Sequence, residues 1–329
     1  IYMLTAHSEA GPADPSPSGY DGTEKDLGAE GNDALSHSLI SERKIPADAA
    51  VLLIAGPQQA LLGPEVAELQ RFLQEGGAAA ILLEPGVEHG LGSLLQSYGV
   101  QVNDDLVIDL SPFGTMFGGG PTTAIATDFG DHPVTSGLDG ANTVFSRARS
   151  LSVNPGTSAS ALSLVRTGKY AWGETDVVDD SAEVAWNEGE VRGPVTLAVA
   201  AEIGRPEGDE RPPVRLLVAG DASFGANQYR SLSANRNLFL NAMGWLTAQE
   251  DKIAIRPKTR GANLIVLTPG QREGIAFFVL RRAGDGGTWW IMTPRPSAPR
   301  SPPGMAPRRR MRATTIWRRS WPIRSSMRS

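Results

Sequence analysis

Cysteine is absent from this 329-residue chain. Its absence excludes disulfide bridges, thiolate metal sites and every mechanism that uses a cysteine nucleophile. The sequence also lacks any run of about 18 apolar residues, the length that a membrane-spanning helix needs. The chain begins at Ile1 without an initiator methionine. We therefore expect it to be a piece of a longer protein.

Common catalytic and cofactor-binding motifs are missing as well. Neither a G-x-G-x-x-G nor a G-x-x-x-x-G-K-[ST] phosphate loop occurs, and Gly118-Gly119-Gly120 is interpreted as a flexible turn. No G-x-S-x-G nucleophile elbow occurs either. We expect no cofactor. We also expect no metal, because His37, His89 and His132 are scattered without ligand spacing and His7 has only Glu9 beside it as a second possible ligand.

The charge is unevenly distributed. Twelve of the 31 basic residues but only one of the 36 acids lie from Arg281 onward, which leaves a net charge of −16 on the preceding 280 residues. An acidic body repels nucleic acid, so we expect no nucleic-acid partner. A basic-tailed nucleic-acid binder is the weakest hypothesis, and it predicts salt-sensitive binding that depends on residues 281–329.

The tail 281–329 differs in composition from the body. It holds seven of the 24 prolines and four of the seven tryptophans, without helical or strand periodicity. Three interpretations remain: a disordered basic arm, a juxtamembrane anchor, or a slipped reading frame after the apolar run 274–280 (GIAFFVL). No function is based on this tail.

The body alternates predicted strands and helices, which indicates an α/β fold with a mostly parallel sheet covered on both faces. The clearest helix begins near Pro64 and ends at Gly76-Gly77. Residues 111–200 form a β-rich, irregular part. The strands are predicted at 1–5, 32–40, 51–55, 78–83, 106–110, 143–153, 159–166, 195–201 and 214–219, and further helices at 23–31, 91–98 and 234–248.

Polar residues that follow strands are the candidate site residues. Asp221 follows the strand 214–219, at the edge where open α/β sheets bind ligands, but it equally suits a structural turn. His7 and Glu9 follow the first strand and could supply two metal ligands, fewer than a zinc site needs. Trp172 could stack on a sugar or a base, although packing is the usual role of a tryptophan beside a turn.

Several segments, in order, resemble one protein family. The opening strand and turn Ile1–Glu9 (IYMLTAHSE) and the segment Val218–Asn227 (VAGDASFGAN) are the most similar. Together they resemble the extracytoplasmic domain of gliding-motility-type (GldG-like) auxiliary components of ABC transporters. The resemblance extends over about residues 1–270 and includes the segments 44–57, 63–85, 132–135, 167–176, 235–246 and 253–256.

The resemblance implies a non-catalytic accessory domain with a Rossmann-like fold, similar to class I glutamine amidotransferases. It implies ABC permease and ATPase partners, and a position on the extracytoplasmic (periplasmic) side of the cytoplasmic membrane, with an anchor missing from this chain. Amidotransferase chemistry needs a thiolate, which this chain lacks. Ala6 stands where the family usually has glycine, and the expected anchor is replaced by the arginine tail.

We therefore predict a binding and scaffolding protein with three regions: an α/β domain (1–250), a C-terminal strand and truncated membrane-proximal segment (251–280), and the tail. The residues at its binding surface are predicted to be His7, Glu9, Trp172, Asp221, Asn227 and Asn241. The main alternative is a hydrolase of sugars or peptides that uses Asp221 with Glu9 or His7, which requires these side chains to converge.

Overall fold

The computed structural model describes residues 1–111, 120–157, 159–176 and 185–251. Residues 112–119, the segment 252–280 and the basic tail lie outside this part of the chain. Within it the helices are α1 Asp21–Ala29, α2 Leu39–Glu42, α3 Gly63–Gln74, α4 Gly92–Ser97 and α5 Asn235–Leu246. The strands are β1 Tyr2–Leu4, β2 Leu35–His37, β3 Val51–Ala55, β4 Ala78–Leu82, β5 Val100–Val102, β6 Leu106–Asp109, β7 Thr123–Phe129, β8 Thr143–Ser146, β9 Leu151–Val153, β10 Ser160–Thr167, β11 Ala171–Glu174, β12 Val191–Arg192, β13 Thr196–Ile203 and β14 Val214–Ala219.

A large central sheet organises the fold. Its strand order is β2-β1-β3-β4-β14-β13-β10-β7-β8, and β5 and β9 pair beside β13. The five strands β2, β1, β3, β4 and β14 are parallel, whereas the pairs from β14 to β8 are antiparallel. A separate three-stranded sheet has the order β12-β11-β6. The predicted α/β fold with a large central sheet is confirmed.

Apolar side chains cover both faces of the parallel strands. In β3, Leu53 packs in the cluster that includes residues of α1 and α5, while Leu52 and Ile54 pack in the cluster that includes α3 and α4. Successive side chains of a strand point to opposite faces, so a continuous apolar run such as 51–55 needs a cover on each side. Helices α1 and α5 cover one face of the sheet, and α3 and α4 cover the other.

The end of α3 explains the two glycines that follow it. The N–H of Gly77 donates to the carbonyl of Phe72 and the N–H of Gly76 to that of Leu73, the pattern of a Schellman motif. Gly76 has φ +106°, which favours glycine, and a Cβ on Gly77 would lie 2.3 Å from the Phe72 ring. The predicted stop at Gly76-Gly77 therefore has a steric cause at each position.

Two predicted strands are shorter or divided in the structure. The strand expected at 32–40 ends at His37, because the Ser38 hydroxyl accepts from the N–H of Ser41 and begins α2. The segment 143–153 forms two strands, β8 and β9, and Arg147 between them has φ +60°. The strands β7 and β11 were not predicted.

Asn235, the first residue of α5, is fully buried and holds the edge strand β8. Its Oδ1 accepts from the N–H of Val144 at 2.8 Å, and its Nδ2 donates to the Val144 carbonyl at 2.8 Å. Nδ2 also lies within hydrogen-bond distance of the carbonyls of Tyr229 and Phe224. One side chain therefore satisfies both backbone groups of a strand residue.

Replacing Asn235 by alanine should lower the free energy of unfolding by about 3 kcal/mol, because it leaves buried backbone groups of Val144 unpaired. Urea denaturation measures this change. The matched control is Asn32→Ala, which removes only one long hydrogen bond from Gln249 at 3.4 Å and should cost less than about 0.5 kcal/mol. Equal losses in the two variants would contradict the structural role of Asn235.

Candidate functional site

A crevice of about 300 Å³ opens where β1, β3, β4 and β14 end. The strand order reverses at β1, with β2 on one side and β3 on the other, and open α/β sheets bind ligands at such points. Among the described residues that line the crevice, three are acidic and none is basic. The lining residues are Ser8, Glu9, Ala10, Asp14, Ser18, Tyr20, Ala55, Gly56, Gln58, Glu84, Ala222, Ser223 and Ala226.

His7 and Glu9 lie together at this edge, joined by a third residue. Glu9 accepts from the His7 backbone N–H at 2.7 Å, and its Oε1 lies 3.1 Å from Nδ1 of the His7 ring. The other ring nitrogen, Nε2, is 3.0 Å from Oε2 of Glu65 in the first turn of α3. Each ring nitrogen faces a carboxylate oxygen, and both can donate only when the ring is protonated. All three side chains are buried, and Glu9 alone of them lines the crevice.

Glu84, two residues after the end of β4, is the most strongly perturbed acid of the crevice. Burial, with a smaller contribution from the charge of Asp221, raises its pKa to about 8. Its Oε1 accepts from the N–H of Ala222 at 3.2 Å. Near neutral pH Glu84 is therefore mostly protonated, and its carboxyl group has a proton to donate.

Tyr20 closes the crevice beside Glu84. Its ring is fully buried, and its hydroxyl donates to the carbonyl of Ala222. Burial, followed by the charges of Asp221 and Glu84, holds the pKa of Tyr20 well above its usual value. The Tyr20 phenol therefore stays protonated and serves as a fixed donor to the turn after β14.

Asp221 is fully buried and does not line the crevice. Its two carboxylate oxygens accept from the N–H groups of Ser146 at 2.8 Å and Ser223 at 2.6 Å. Three strand spacings of about 4.8 Å separate β14 from β1, a distance of about 14 Å. Among the described residues, Ser146 and Ser223 are the hydrogen-bond partners of Asp221, and Glu9 and His7 are not, whereas the hydrolase hypothesis requires these side chains to meet.

Asn227 and Asn241 are bound to backbone groups of neighbouring segments. Asn227 accepts from the N–H of Gly22 and donates to the carbonyls of Asp14 and Ser16, so it fixes the loop before α1. The Nδ2 of Asn241 donates to the carbonyls of residues 134 and 136. These contacts are those of structural residues.

Trp172 lies in β11 and is 5% exposed. Its Nε1 donates to Oε2 of Glu174 at 3.1 Å. A ring that is buried to this degree presents no face to a sugar or a base from solvent. Packing within the three-stranded sheet therefore accounts for Trp172.

Sequence reasoning did not select Glu65, Tyr20 or Glu84 as site residues. Glu65 and Tyr20 reach the sheet edge from other segments, and only the tertiary fold shows this. A sequence signal did exist for Glu84, since it is the polar residue that directly follows the apolar run 78–83. Glu84 lies in the segment 63–85 of the family resemblance, but the sequence analysis does not assign it to a site.

The described residues contain neither a metal-binding cluster nor a membrane-spanning helix. Over these ranges no group of three or more histidine, aspartate or glutamate side chains is arranged to hold a metal ion. None of the described helices is both long enough and apolar enough to cross a membrane.

A family model described as "ABC-type uncharacterized transport system" matches residues 33–242, more than half of the chain. The chain belongs to this family. It is thus an auxiliary component of an ABC-type transport system, and this part of the sequence-based prediction is confirmed. The match says nothing about a gliding-motility subgroup or about the side of the membrane. No curated protein matches the chain.

Similarity to solved structures concerns the fold alone. The chain is similar to the structure titled "mmIFT52 N-terminal domain", with 18% identity and a TM-score of 0.56, over 75% of this chain and 97% of that one. An exo-β-1,4-mannosidase, Op5Man5 from Opitutaceae bacterium strain TAV5, shares 11% identity over 77% of this chain and 35% of that one. Its TM-score of 0.33 is too low to bear on the fold.

Replacing Ala6 by glycine should raise the free energy of unfolding by about 1 kcal/mol. Ala6 is exposed, so the methyl group contributes little packing, but its φ of +124° is strained for any residue except glycine. Chemical denaturation measures the gain. As the matched control, Ala47→Gly in an exposed turn without positive φ should give no stabilisation, because there glycine only adds freedom to the unfolded chain. A similar gain in both variants would contradict backbone strain at Ala6.

The raised pKa of Glu84 predicts a pH dependence of stability. Between the unfolded pKa near 4.5 and the folded pKa of about 8, the folded state binds one more proton than the unfolded state, so stability falls as pH rises. Between pH 5 and pH 9 the free energy of unfolding should fall by more than about 1 kcal/mol less in Glu84→Gln than in the wild type. Urea denaturation over this pH range measures the difference. The exposed control Glu210→Gln should keep the wild-type slope. An unchanged slope in Glu84→Gln would show that Glu84 ionises freely.

Proposed function

We propose that this chain is a non-catalytic scaffolding domain that binds the permease, or the cargo, of an ABC transport system on the extracytoplasmic (periplasmic) side of the cytoplasmic membrane. The observation that carries the proposal is the family match over residues 33–242. Within that family, the residues that resemble the gliding-motility-type group support the finer assignment. In this proposal the full-length protein also associates with the ATPase subunit of the same ABC system.

The strand order β2-β1-β3-β4-β14 of the parallel half supports a Rossmann-like core similar to class I glutamine amidotransferases. In this proposal residues 1–250 form the α/β domain, which is followed in the sequence by the segment 251–280 and the tail 281–329. A thiolate nucleophile is absent from the sequence, so the likeness concerns architecture and not the amidotransferase reaction.

Of the six predicted site residues, we propose that Glu9 and its partner His7 belong to a ligand crevice. Glu9 lines the crevice, and His7 fixes the Glu9 carboxylate from behind through its ring and backbone nitrogens. Asp221, Asn227, Asn241 and Trp172 have structural roles in this proposal. Asp221 and Asn227 hold turns and loops beside the crevice, Asn241 holds the segment 134–136, and Trp172 packs in the three-stranded sheet.

One observation favours a hydrolase as the second candidate. Glu84 and Glu9 line the same crevice, and a carboxyl group that is protonated near neutral pH, such as that of Glu84, can act as a general acid. Glu84 would then take the role that the sequence suggested for Asp221. Turnover of glycoside or peptide substrates by the wild type, lost in Glu84→Gln, would favour this candidate.

Co-purification tests the scaffolding proposal. The full-length tagged protein, solubilised from membranes of its host, should retain permease and ATPase subunits of one ABC system, identified by mass spectrometry against an unrelated tagged membrane protein. Glu84→Gln should retain the same subunits, because the carboxyl group is not required for scaffolding. In intact spheroplasts, external protease should digest the domain. Absence of transporter subunits, or protection from external protease, would overturn the proposal.

A further inference from the structure

A second cleft, of about 570 Å³, lies beside α4. It is formed by the loop after β4, by α4 and by β5. The described polar residues that line it are Glu88, His89, Gln96, Gln101, Asp104 and Arg149. None of them belongs to the crevice around Glu9, so the cleft is a separate feature of the surface.

Arg149 forms the base of this cleft, with 6% of its side chain exposed. Its Nε donates to the carbonyl of Asn103 at 2.9 Å, and Nη1 lies 3.2 Å from the carbonyls of Glu84 and Val87. These acceptors are neutral, so they fix the guanidinium without neutralising it. Burial, the largest influence, lowers the pKa of Arg149, yet an arginine keeps its charge at neutral pH.

The remaining nitrogen, Nη2, has no acceptor within hydrogen-bond distance among the described residues. The nearest carboxylate oxygen is Oδ1 of Asp104 at 3.7 Å, beyond hydrogen-bond reach, and the Asp104 side chain is 93% exposed. A buried positive charge is stable when it is both paired and hydrogen-bonded. At Nη2 the charge of Arg149 is therefore paired only by a long ion pair with Asp104, whose exposed side chain a ligand can displace.

Other groups of the cleft are hydrogen-bond donors. Nδ1 of His89 accepts from the N–H of Leu91, and burial followed by the charge of Arg149 lowers the pKa of His89. The His89 ring is then neutral, with its proton on Nε2. The exposed amides of Gln96 and Gln101 add donors, and Oε1 of Gln101 already accepts from Asn154.

The acidic residues of the cleft limit the charge of a ligand. Glu88 and Asp104 both line it, so a dianion would be repelled more strongly than a monoanion. A carboxylate has one charge, and it can accept a charge-assisted hydrogen bond from Nη2, the nitrogen that Nε and Nη1 leave for a ligand. We propose that this cleft binds a ligand that presents a single carboxylate to Nη2 of Arg149, in place of the exposed Asp104 side chain. The proposal does not depend on the transport role, because it rests on a different site.

A matched pair of ligands tests the carboxylate. N-acetylglycine and its neutral amide differ only in the charged group, and each can be titrated into the full chain labelled with ¹⁵N in its arginines. N-acetylglycine should shift the Nε–H signal of Arg149, identified by its loss in Arg149→Lys, whereas the amide should leave it unchanged. Equal shifts with both ligands would overturn the proposal, and so would no shift with N-acetylglycine.

Two charge changes test the cleft without altering Arg149. Asp104→Asn removes the competing acid and should tighten binding of N-acetylglycine about fivefold, and Gln101→Glu should weaken it about fivefold. The controls Asp139→Asn and Gln228→Glu make the same charge changes at exposed positions outside the cleft. Effects as large in the controls would refute the site. Tighter binding of inorganic phosphate than of N-acetylglycine would refute the preference for a monocarboxylate.

Discussion

Carboxyl groups bind backbone N–H groups at the end of the central sheet where four parallel strands, β1, β3, β4 and β14, finish. Asp221 accepts from Ser146 and Ser223, Glu84 accepts from Ala222, and Glu9 accepts from His7. An unpaired buried N–H costs about 1–3 kcal/mol, so these carboxyl groups remain inside although burial disfavours their charge. The backbone N–H groups at this end of the sheet need hydrogen-bond acceptors, and this need explains why acidic side chains are concentrated around the crevice.

Much of the parallel half could be predicted from the sequence, because buried parallel strands are continuous apolar runs. β3, β4, β14, α3 and α5 appear close to their expected bounds. The antiparallel half was harder to predict. β7 (TAIATDF) mixes apolar, small and polar residues, and β11 is four residues long with a glycine. The direction and order of strands depend on contacts far apart in sequence, which apolar patterns do not contain.

The candidate site was predicted in part for the same reason. His7 and Glu9 are two residues apart after one strand, so their proximity follows from the sequence alone. Asp221 follows another strand, and its distance from them depends on how many strands lie between, which only the strand order β1-β3-β4-β14 shows. Glu65 and Arg149 meet their partners through tertiary packing. The family resemblance supplied what the individual residues could not: the transport context.

The bonds from Asn235 to Val144 have a consequence for behaviour at high concentration. Among the described strands, β8 is one edge of the large sheet, and an edge strand exposes backbone groups to which a second chain can add. Asn235 occupies both backbone groups of Val144 in the middle of that four-residue edge. The opposite edge, β2, is three residues long and ends where α2 begins. At high protein concentration, β8 and β2 therefore offer few free backbone groups with which a second copy of the chain could pair. Edge-to-edge aggregation is disfavoured at these two strands.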